Sequence, residues 1–498
     1  MHETPRVVII GAGFGGLSLA ALLAKDGYAV QVLEKNDDVG GRAMVYSDQG
    51  HTFDMGPSWY LMPDVFETFF QRLGVDSDSL FSLVRLDPSY RIFFGPGDYL
   101  DISADLEANI DLFERVEAGA GEQLRSYLSK AAYEYDVAVN EFLYRNYLTV
   151  FDFFNKRTMT EGRKLHVFEN LARYTKRYFA SERLRKVLSY SMVFLGGSPS
   201  NTPALYSILS HVDFNLGVWY PMGGMGVVVQ ALRKIAEDNG AQVLTGQEVT
   251  AISVQGGKAV GVYAGEEFFP ADVVVANADY PHVELSLLPR HSRSYSERYW
   301  RTRTLAPSAF MLYLGFNRRL PGLEHHSLSF EYDWEEHFNS IFAKPNWPSR
   351  PSYYLACPSK TDPSVAPPGG ETVVMLVPVA SGLEDSDEVR ERFTEQMLDY
   401  LEHLVGEELR SSITVCTPFS QRDFRATFNA YQGTALGLSH TLMQTAVFRP
   451  RHRSRRVSNL FYSGQYTHPG IGMPMTLIAS TLVHEVICKE SACGCEKS

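Results

Sequence analysis

The chain has 498 residues, 45% of them hydrophobic and 21% charged, with 46 basic and 58 acidic side chains giving a formal net charge of −12. That length exceeds what one hydrophobic core fills, so at least two domains are expected. The composition argues against extensive disorder, and the acidic balance lacks the basic footprint of a nucleic-acid partner. The five cysteines (Cys357, Cys416, Cys488, Cys493, Cys495) are odd in number and form no C-x-x-C pair, so neither a disulfide framework nor a zinc site is expected. No run of about 18 apolar residues free of charge occurs, so no transmembrane helix is expected, and the first strand begins too early for a signal peptide.

Arg6–Ile10 is a short β-branched run of the kind that forms a buried strand. It leads into Gly11-Ala-Gly13-Phe14-Gly15-Gly16, then into an Ala/Leu-rich segment, Leu17–Lys25, that reads as a helix stopped at Gly27. Ala29–Glu34 reads as a second strand ending in an acid. Strand, glycines, helix, strand and terminal acid together make a dinucleotide-binding fingerprint. Gly11 permits the tight turn, Gly13 the close approach of a pyrophosphate, and Gly16 the packing of helix on strand; the helix N-terminus offers free N–H groups to phosphate. Glu34 lies 18 residues past Gly16, where a carboxylate can accept from ribose hydroxyls.

Two further elements follow: Lys35-Asn-Asp-Asp-Val-Gly40-Gly41-Arg42, then Phe53-Asp-Met-Gly56-Pro57-Ser58. With them the chain resembles the flavoprotein superfamily of amine oxidases and carotenoid desaturases. The resemblance implies FAD as cofactor, Arg42 beside the pyrophosphate or flavin, and Gly40 and Gly41 allowing close approach.

Residues 100–215 read as mainly helical. Within them Phe142–Phe154 is rich in aromatics and is followed by Asn155-Lys156-Arg157, which suits either an interfacial element or packed helix core. Glycines return at Tyr220-Pro-Met-Gly223-Gly224-Met-Gly226, before a helix over Val227–Ala236 that stops near Gly240. Strands are expected at Ala241–Thr245, Glu248–Val254, Lys258–Tyr263 and Ala271–Ala276, with Gly256-Gly257 as a hairpin turn and Asn277 at the end of the last. Phe310–Phe316 and Thr372–Pro378 read as strands of a second, antiparallel layer, and the Pro- and Ser-rich 346–368 as loop. The basic run Arg451–Arg456 reads as a solvated loop. Asn459–Ser463 is a strand ending at Gly464, and Thr467-His468-Pro469-Gly470-Ile-Gly472-Met473-Pro474-Met475 opens a last helix. Its N-terminus can stabilise an electron-rich ring edge.

The segments 6–66, 190–280 and 459–485 narrow the resemblance to the bacterial-type phytoene desaturases. The chain departs from that family's usual pattern at Gln465-Tyr466 and at Met473-Pro474-Met475, beside the expected flavin.

The expected fold is α/β: a discontinuous Rossmann-type FAD domain (1–90, 216–285 and 431–488) interrupted by a helical substrate region (91–215) and a substrate sheet (286–430), with a tail at 489–498. The expected cofactor-binding residues are Gly11, Gly13, Phe14, Gly15, Gly16, Glu34, Lys35, Gly41, Arg42, Gly56, Pro57, Ser58, Val249, Asn277, Gly464, Gly472, Met473, Pro474 and Met475. The resemblance implies desaturation of a carotenoid precursor such as phytoene, with quinone or oxygen reoxidising the flavin. The expected location is the cytoplasm, with peripheral contact at the inner face of the membrane. By polarity alone, Arg145, Asp152 and His468 are the catalytic candidates. Two rivals share the scaffold: a carotenoid isomerase or retinol saturase-like enzyme, and a prenyl-binding protein without catalysis.

Overall fold

A five-stranded parallel sheet orders its strands as Leu460–Tyr462, Val273–Ala276, Arg6–Ile10, Ala29–Leu33 and Gln242–Leu244. The computed structural model describes residues 4–146, 169–198, 200 and 202–495. Three widely separated stretches of chain therefore build one sheet, as the discontinuous nucleotide domain requires. The central strand is buried on both faces, which explains its unbroken Val/Ile run. Val7 and Ile9 pack with the helices Phe14–Lys25, Gly226–Asp238 and Met473–Cys495; Val8 and Ile10 pack with the antiparallel ribbon Val249–Pro270 and the segment around Trp300.

The second layer is a seven-stranded sheet ordered Ile413–Phe419, Ser308–Phe316, Glu371–Val379, Tyr353–Ala356, His326–Ser329, Tyr90–Gly95 and Asp98–Ile102. Its neighbours are antiparallel except for His326–Ser329 beside Tyr90–Gly95. Along Ser308–Phe316 the pleat sends Phe310, Leu312 and Leu314 toward the helix Asp387–Val405, and Ala309, Met311 and Tyr313 toward the helical region. Helices Leu106–Val116, Ala120–Val137 and Glu182–Ser189 supply much of that region.

Several expectations shift. The dinucleotide helix starts at Phe14, three residues before Leu17, because Gly13 already has extended geometry and serves as its N-cap. The stretch 346–368 contains the central strand Tyr353–Ala356, whose four buried residues are hidden between proline-rich flanks in the sequence. The region from residue 91 opens with a hairpin that belongs to the seven-stranded sheet, and the last helix continues through the expected tail to Cys495. Among the described residues no helix is long and apolar enough to cross a membrane.

Candidate active site

One cavity of about 1500 Å³ runs from the parallel sheet to the space between the seven-stranded sheet and the helices. Its wall near the parallel sheet is made largely of backbone. A Cβ on Gly16 would sit 2.1 Å from the carbonyl oxygen of Gly11, and one on Gly56 would sit 2.1 Å from that of Arg42. A Cβ on Gly15 would meet Asn277 Nδ2 at 2.6 Å and Thr476 Cγ2 at 2.7 Å. These glycines let the dinucleotide turn, the Gly41-Arg42 segment and the last helix converge without side chains filling the space.

Of the expected cofactor residues, all but Gly16 line the cavity; Gly16 lies behind the wall and packs its turn. Glu34 is buried, its Oε2 accepting from Ala12 N at 2.8 Å and its Oε1 from Asn36 N at 3.0 Å. Asn36 Nδ2 donates to Oε1 as well, at 2.7 Å, and a carboxylate with about four acceptor sites has capacity left beyond those three bonds, so a ribose hydroxyl can still be bound. Asn277 is fixed by donating Nδ2 to Ser463 O at 2.9 Å. Arg42 approaches buried Asp279 at 3.6 Å and lies 5.4 Å from the Phe428 ring, while its Nε has no hydrogen-bond partner among the described residues. Burial holds the Asp279 carboxyl up at about 6 despite Arg42 and the Tyr466 hydroxyl, which donates to it at 2.8 Å. Gln465 Nε2 is a second buried donor without a partner among the described residues. Unsatisfied cationic and amide donors beside a glycine cradle and a helix N-terminus fit a pyrophosphate-linked flavin.

Residues 464–467 hold their shape through Arg449. Its fully buried guanidinium donates to five carbonyls, those of Leu438, Gln444, Gln465, Tyr466 and Thr467, at 2.6–3.4 Å. Burial lowers its pKa to about 10, so it stays charged near neutrality. On the far side of this loop His440 accepts from Ile471 N at 3.2 Å through Nε2, which leaves Nδ1 to donate to Tyr206 at 2.7 Å. The pattern requires a neutral ring, and burial lowers its pKa in agreement.

The other end of the cavity is apolar and aromatic. Trp59, Leu209, Leu328, Phe330, Trp334 and Ile341 are among its lining residues. Trp59 stacks on His326 at 4.1 Å, and the Tyr354 hydroxyl bridges His326 Nδ1 at 2.7 Å and Ser58 at 2.8 Å. Burial keeps His326 neutral. Asp213 is the one carboxylic acid contributed to the described lining by the substrate side. Its Oδ2 accepts from Tyr90 at 2.6 Å and Tyr190 at 3.1 Å, and burial raises its pKa to about 7.

The three catalytic candidates fare differently. Arg145 is exposed, pairs with Glu141 at 2.9 Å and does not line the cavity, so it is withdrawn; polarity had singled out a surface i,i+4 pair. Asp152 lies outside the described residues. His468 lines the cavity, but its Nε2 donates to Leu143 O at 3.1 Å and burial lowers its pKa to about 3. It is a neutral ring that ties the His468-Pro469-Gly470 turn to Leu143. Asp213 and the Trp59–His326 stack carry no local sequence signal, because their partners lie far away along the chain: Tyr90 and Asp213 are 123 positions apart.

Residues 14–483 match the family model for flavin containing amine oxidoreductases. The chain belongs to that family. It is 45% identical over 488 residues to a carotenoid 3,4-desaturase of Haloarcula japonica, covering 98% of both chains. It is 35% identical to a zeta-carotene-forming phytoene desaturase of Myxococcus xanthus, covering 96% of this chain and 93% of the relative. Among solved structures, an oxidoreductase from Methanosarcina mazei shares the fold with a TM-score of 0.65 at 18% identity, covering 96% of this chain and all of that one. The family member described here is an FAD-dependent oxidoreductase of the carotenoid desaturase group, and its mixed α/β fold is that of FAD-dependent oxidoreductases.

Proposed function

We propose that this flavoenzyme introduces carbon–carbon double bonds into a carotenoid precursor. The observation that carries this reading is the single cavity, in which a cradle of glycine backbone opens directly into a compartment walled by Trp, Phe and Leu side chains. A soluble amine would need polar recognition at that end; a polyisoprenoid needs only length and dryness. The names of the relatives from Haloarcula and Myxococcus support the same substrate class.

FAD would be held by Gly11, Gly13, Phe14, Gly15, Gly41 and Arg42 at the pyrophosphate, by Glu34, Lys35 and Val249 at the ribose end, and by Gly56, Pro57, Ser58, Asn277, Gly464 and Gly472–Met475 along the rest of the cofactor. Gly16 supports the turn from behind. Bound FAD supplies a two-electron acceptor for hydride from an allylic carbon. The protein's part is orientation and exclusion of water. The aromatic wall fixes the polyene, and the helix N-terminus at Gly472 offers N–H dipoles to the electron-rich side of the site. An allylic cation is strongly acidic, so loss of the neighbouring proton requires no strong base. Quinone or oxygen is the proposed final electron acceptor.

We assign substrate entry to the cavity rim formed by Leu442, Met443 and Phe448, whose large apolar side chains are exposed while also lining the cavity. Exposed Arg451, Arg453, Arg455 and Arg456 follow within a few residues and suit anionic headgroups. This reading supports a peripheral contact with the cytoplasmic membrane face. Flotation with anionic vesicles should carry the wild-type protein up the gradient and leave an L442S/M443S/F448S variant at the bottom.

The function itself is tested by co-expression in a bacterium that accumulates colourless phytoene, followed by chromatography of the pigments. A yellow or red product supports desaturation. A flavin-loaded protein that makes no pigment from phytoene but converts a later carotenoid moves the assignment along the pathway. A shifted isomer or a saturated product identifies the isomerase or saturase reading, and a colourless purified protein the prenyl-binding one.

A further inference from the structure

Asp26, His484 and Cys488 meet at the surface where the dinucleotide helix ends against the last helix. Asp26 is the C-cap residue of Phe14–Lys25. His484 and Cys488 are four residues apart in Met473–Cys495 and so lie on one face of it. His484 Nε2 is 2.8 Å from Asp26 Oδ2 and 3.5 Å from Cys488 Sγ, and Sγ is 3.7 Å from Asp26 Oδ2. Tetrahedral coordination with bonds of ~2.3 Å to sulfur and ~2.0–2.1 Å to nitrogen and oxygen separates sulfur from either by about 3.6 Å, and nitrogen from oxygen by about 3.3 Å. Both sulfur edges already match. The nitrogen–oxygen edge is shorter because a hydrogen bond occupies it, and the exposed Asp26 side chain has room to swing outward.

The local field points the same way. A carboxylate at the C-terminal end of a helix faces the negative pole of the helix dipole, an arrangement that favours a cation. Of the charged groups facing the cluster, Glu485 is the one with its own cation, Arg72 at 3.4 Å.

We propose that Asp26, His484 and Cys488 form a binding site for a zinc-class divalent ion that staples the end of the dinucleotide helix to the last helix. Sulfur, imidazole nitrogen and carboxylate oxygen are a donor set for a borderline ion of this class rather than for calcium or magnesium. Water completes the coordination, since the cluster is open to solvent. On binding, Cys488 becomes a thiolate and releases one proton. His484 ligates through Nε2 with its ring proton on Nδ1, so at least one proton leaves per ion bound. The N-termini of the two stapled helices line the cofactor end of the cavity, so the ion should slow loss of FAD.

The test uses the flavin-loaded full chain with Cys493 and Cys495 replaced by serine, titrated with Co²⁺ and with Zn²⁺ alone. One equivalent of Co²⁺ should give a thiolate-to-cobalt absorption band, displaced by Zn²⁺, with proton release measured in weak buffer. Loss of a ligand in His484→Ala or Cys488→Ser should cost more than the ~10–100-fold that losing an outer-shell partner costs. Zinc should raise the unfolding midpoint and slow FAD dissociation, and a chelator should reverse both. Absence of the band, or a band unchanged in His484→Ala and Asp26→Asn, overturns the site. A band seen only when Cys493 and Cys495 are present overturns it equally, in favour of the tail.

Discussion

The two ends of the cavity are built from different materials. At the cofactor end the wall is backbone: glycines whose missing Cβ atoms leave space, plus a helix N-terminus. At the substrate end it is side chain: indole, phenyl and isobutyl groups, with a few buried polar groups, of which Asp213 Oδ2 and His326 Nδ1 are bonded while Asp213 Oδ1 and His326 Nε2 have no partner among the described residues. Backbone walls tolerate no added atom, whereas side-chain walls can repack. Substitutions should therefore act abruptly at one end and gradually at the other.

The largest effect is expected from Gly16→Ala. Its Cβ would stand 2.1 Å from a backbone oxygen, so the turn and helix must separate. Overpacking typically costs about 1–3 kcal/mol and occasionally more, and a clash with backbone falls at the upper end of that range. The purified variant should be colourless, with the flavin-to-protein absorbance ratio near zero; a yellow, fully loaded variant would mean that the backbone wall is softer than the distances imply. Arg449→Met comes next. It removes the donor for five carbonyls, each costing about 1–3 kcal/mol when left buried and unpaired unless it relaxes toward water. Urea unfolding should show a loss of about 3–5 kcal/mol, typical of breaking a buried charged network, and FAD should dissociate faster as residues 464–467 loosen.

The same contrast explains what the sequence reveals. Cofactor-end residues are readable because a backbone approach demands glycine at fixed spacing, and a strand, turn and helix fit within thirty residues. The parallel sheet is readable for a similar reason, since strands buried on both faces must be continuous Val/Ile runs. The substrate end gives no such pattern. Trp59, Asp213 and His326 are ordinary residues until folding brings Tyr90, Tyr190 and Tyr354 to them, and nothing local in the sequence predicts a pairing 123 positions long. Arg145 shows the opposite failure, a polar residue in a suggestive context that the fold spends on a surface ion pair. The strand at Tyr353–Ala356 is hidden because four residues between proline-rich segments are too few to display a period.

Asp213→Asn should produce a smaller effect, visible mainly as a change in pH dependence. Burial raises the Asp213 carboxyl to about 7, above the usual value near 3.8. The folded protein thus binds a proton that the unfolded chain has released. The stabilisation is complete below pH ~4 and is lost as pH rises through about 7, a span of up to about 4 kcal/mol for a shift of this size. Asp54 and Asp279, each raised to about 6, contribute with the same sign. Unfolding measured at pH 5 and at pH 7.5 should differ less in the variant than in the wild type. An ionised carboxylate in the apolar wall also repels a polyene, so wild-type substrate affinity should weaken above pH 7 while the variant stays flat. Equal pH slopes in the two proteins would mean that Tyr90 and Tyr190 keep the carboxylate ionised throughout.

The smallest effect is expected from His468→Gln, and its smallness is what separates scaffold from chemistry at the boundary of the two ends. His468 lines the cavity and sits in the loop before the last helix, as an acid–base residue would. Yet burial lowers its pKa to about 3, with His452 adding to the shift, so near neutrality the ring carries no proton to give beyond the one bound to Leu143 O. A general acid or base contributes typically about 10²–10⁴-fold in rate. Glutamine keeps a donor for the Leu143 carbonyl and removes any titration. If the ring only shapes the loop, kcat should stay within about threefold of wild type, far from that range, and the pH–rate profile should keep its shape. Loss of a limb of that profile would return His468 to the reaction, and the loop before the last helix would then hold chemistry as well as shape.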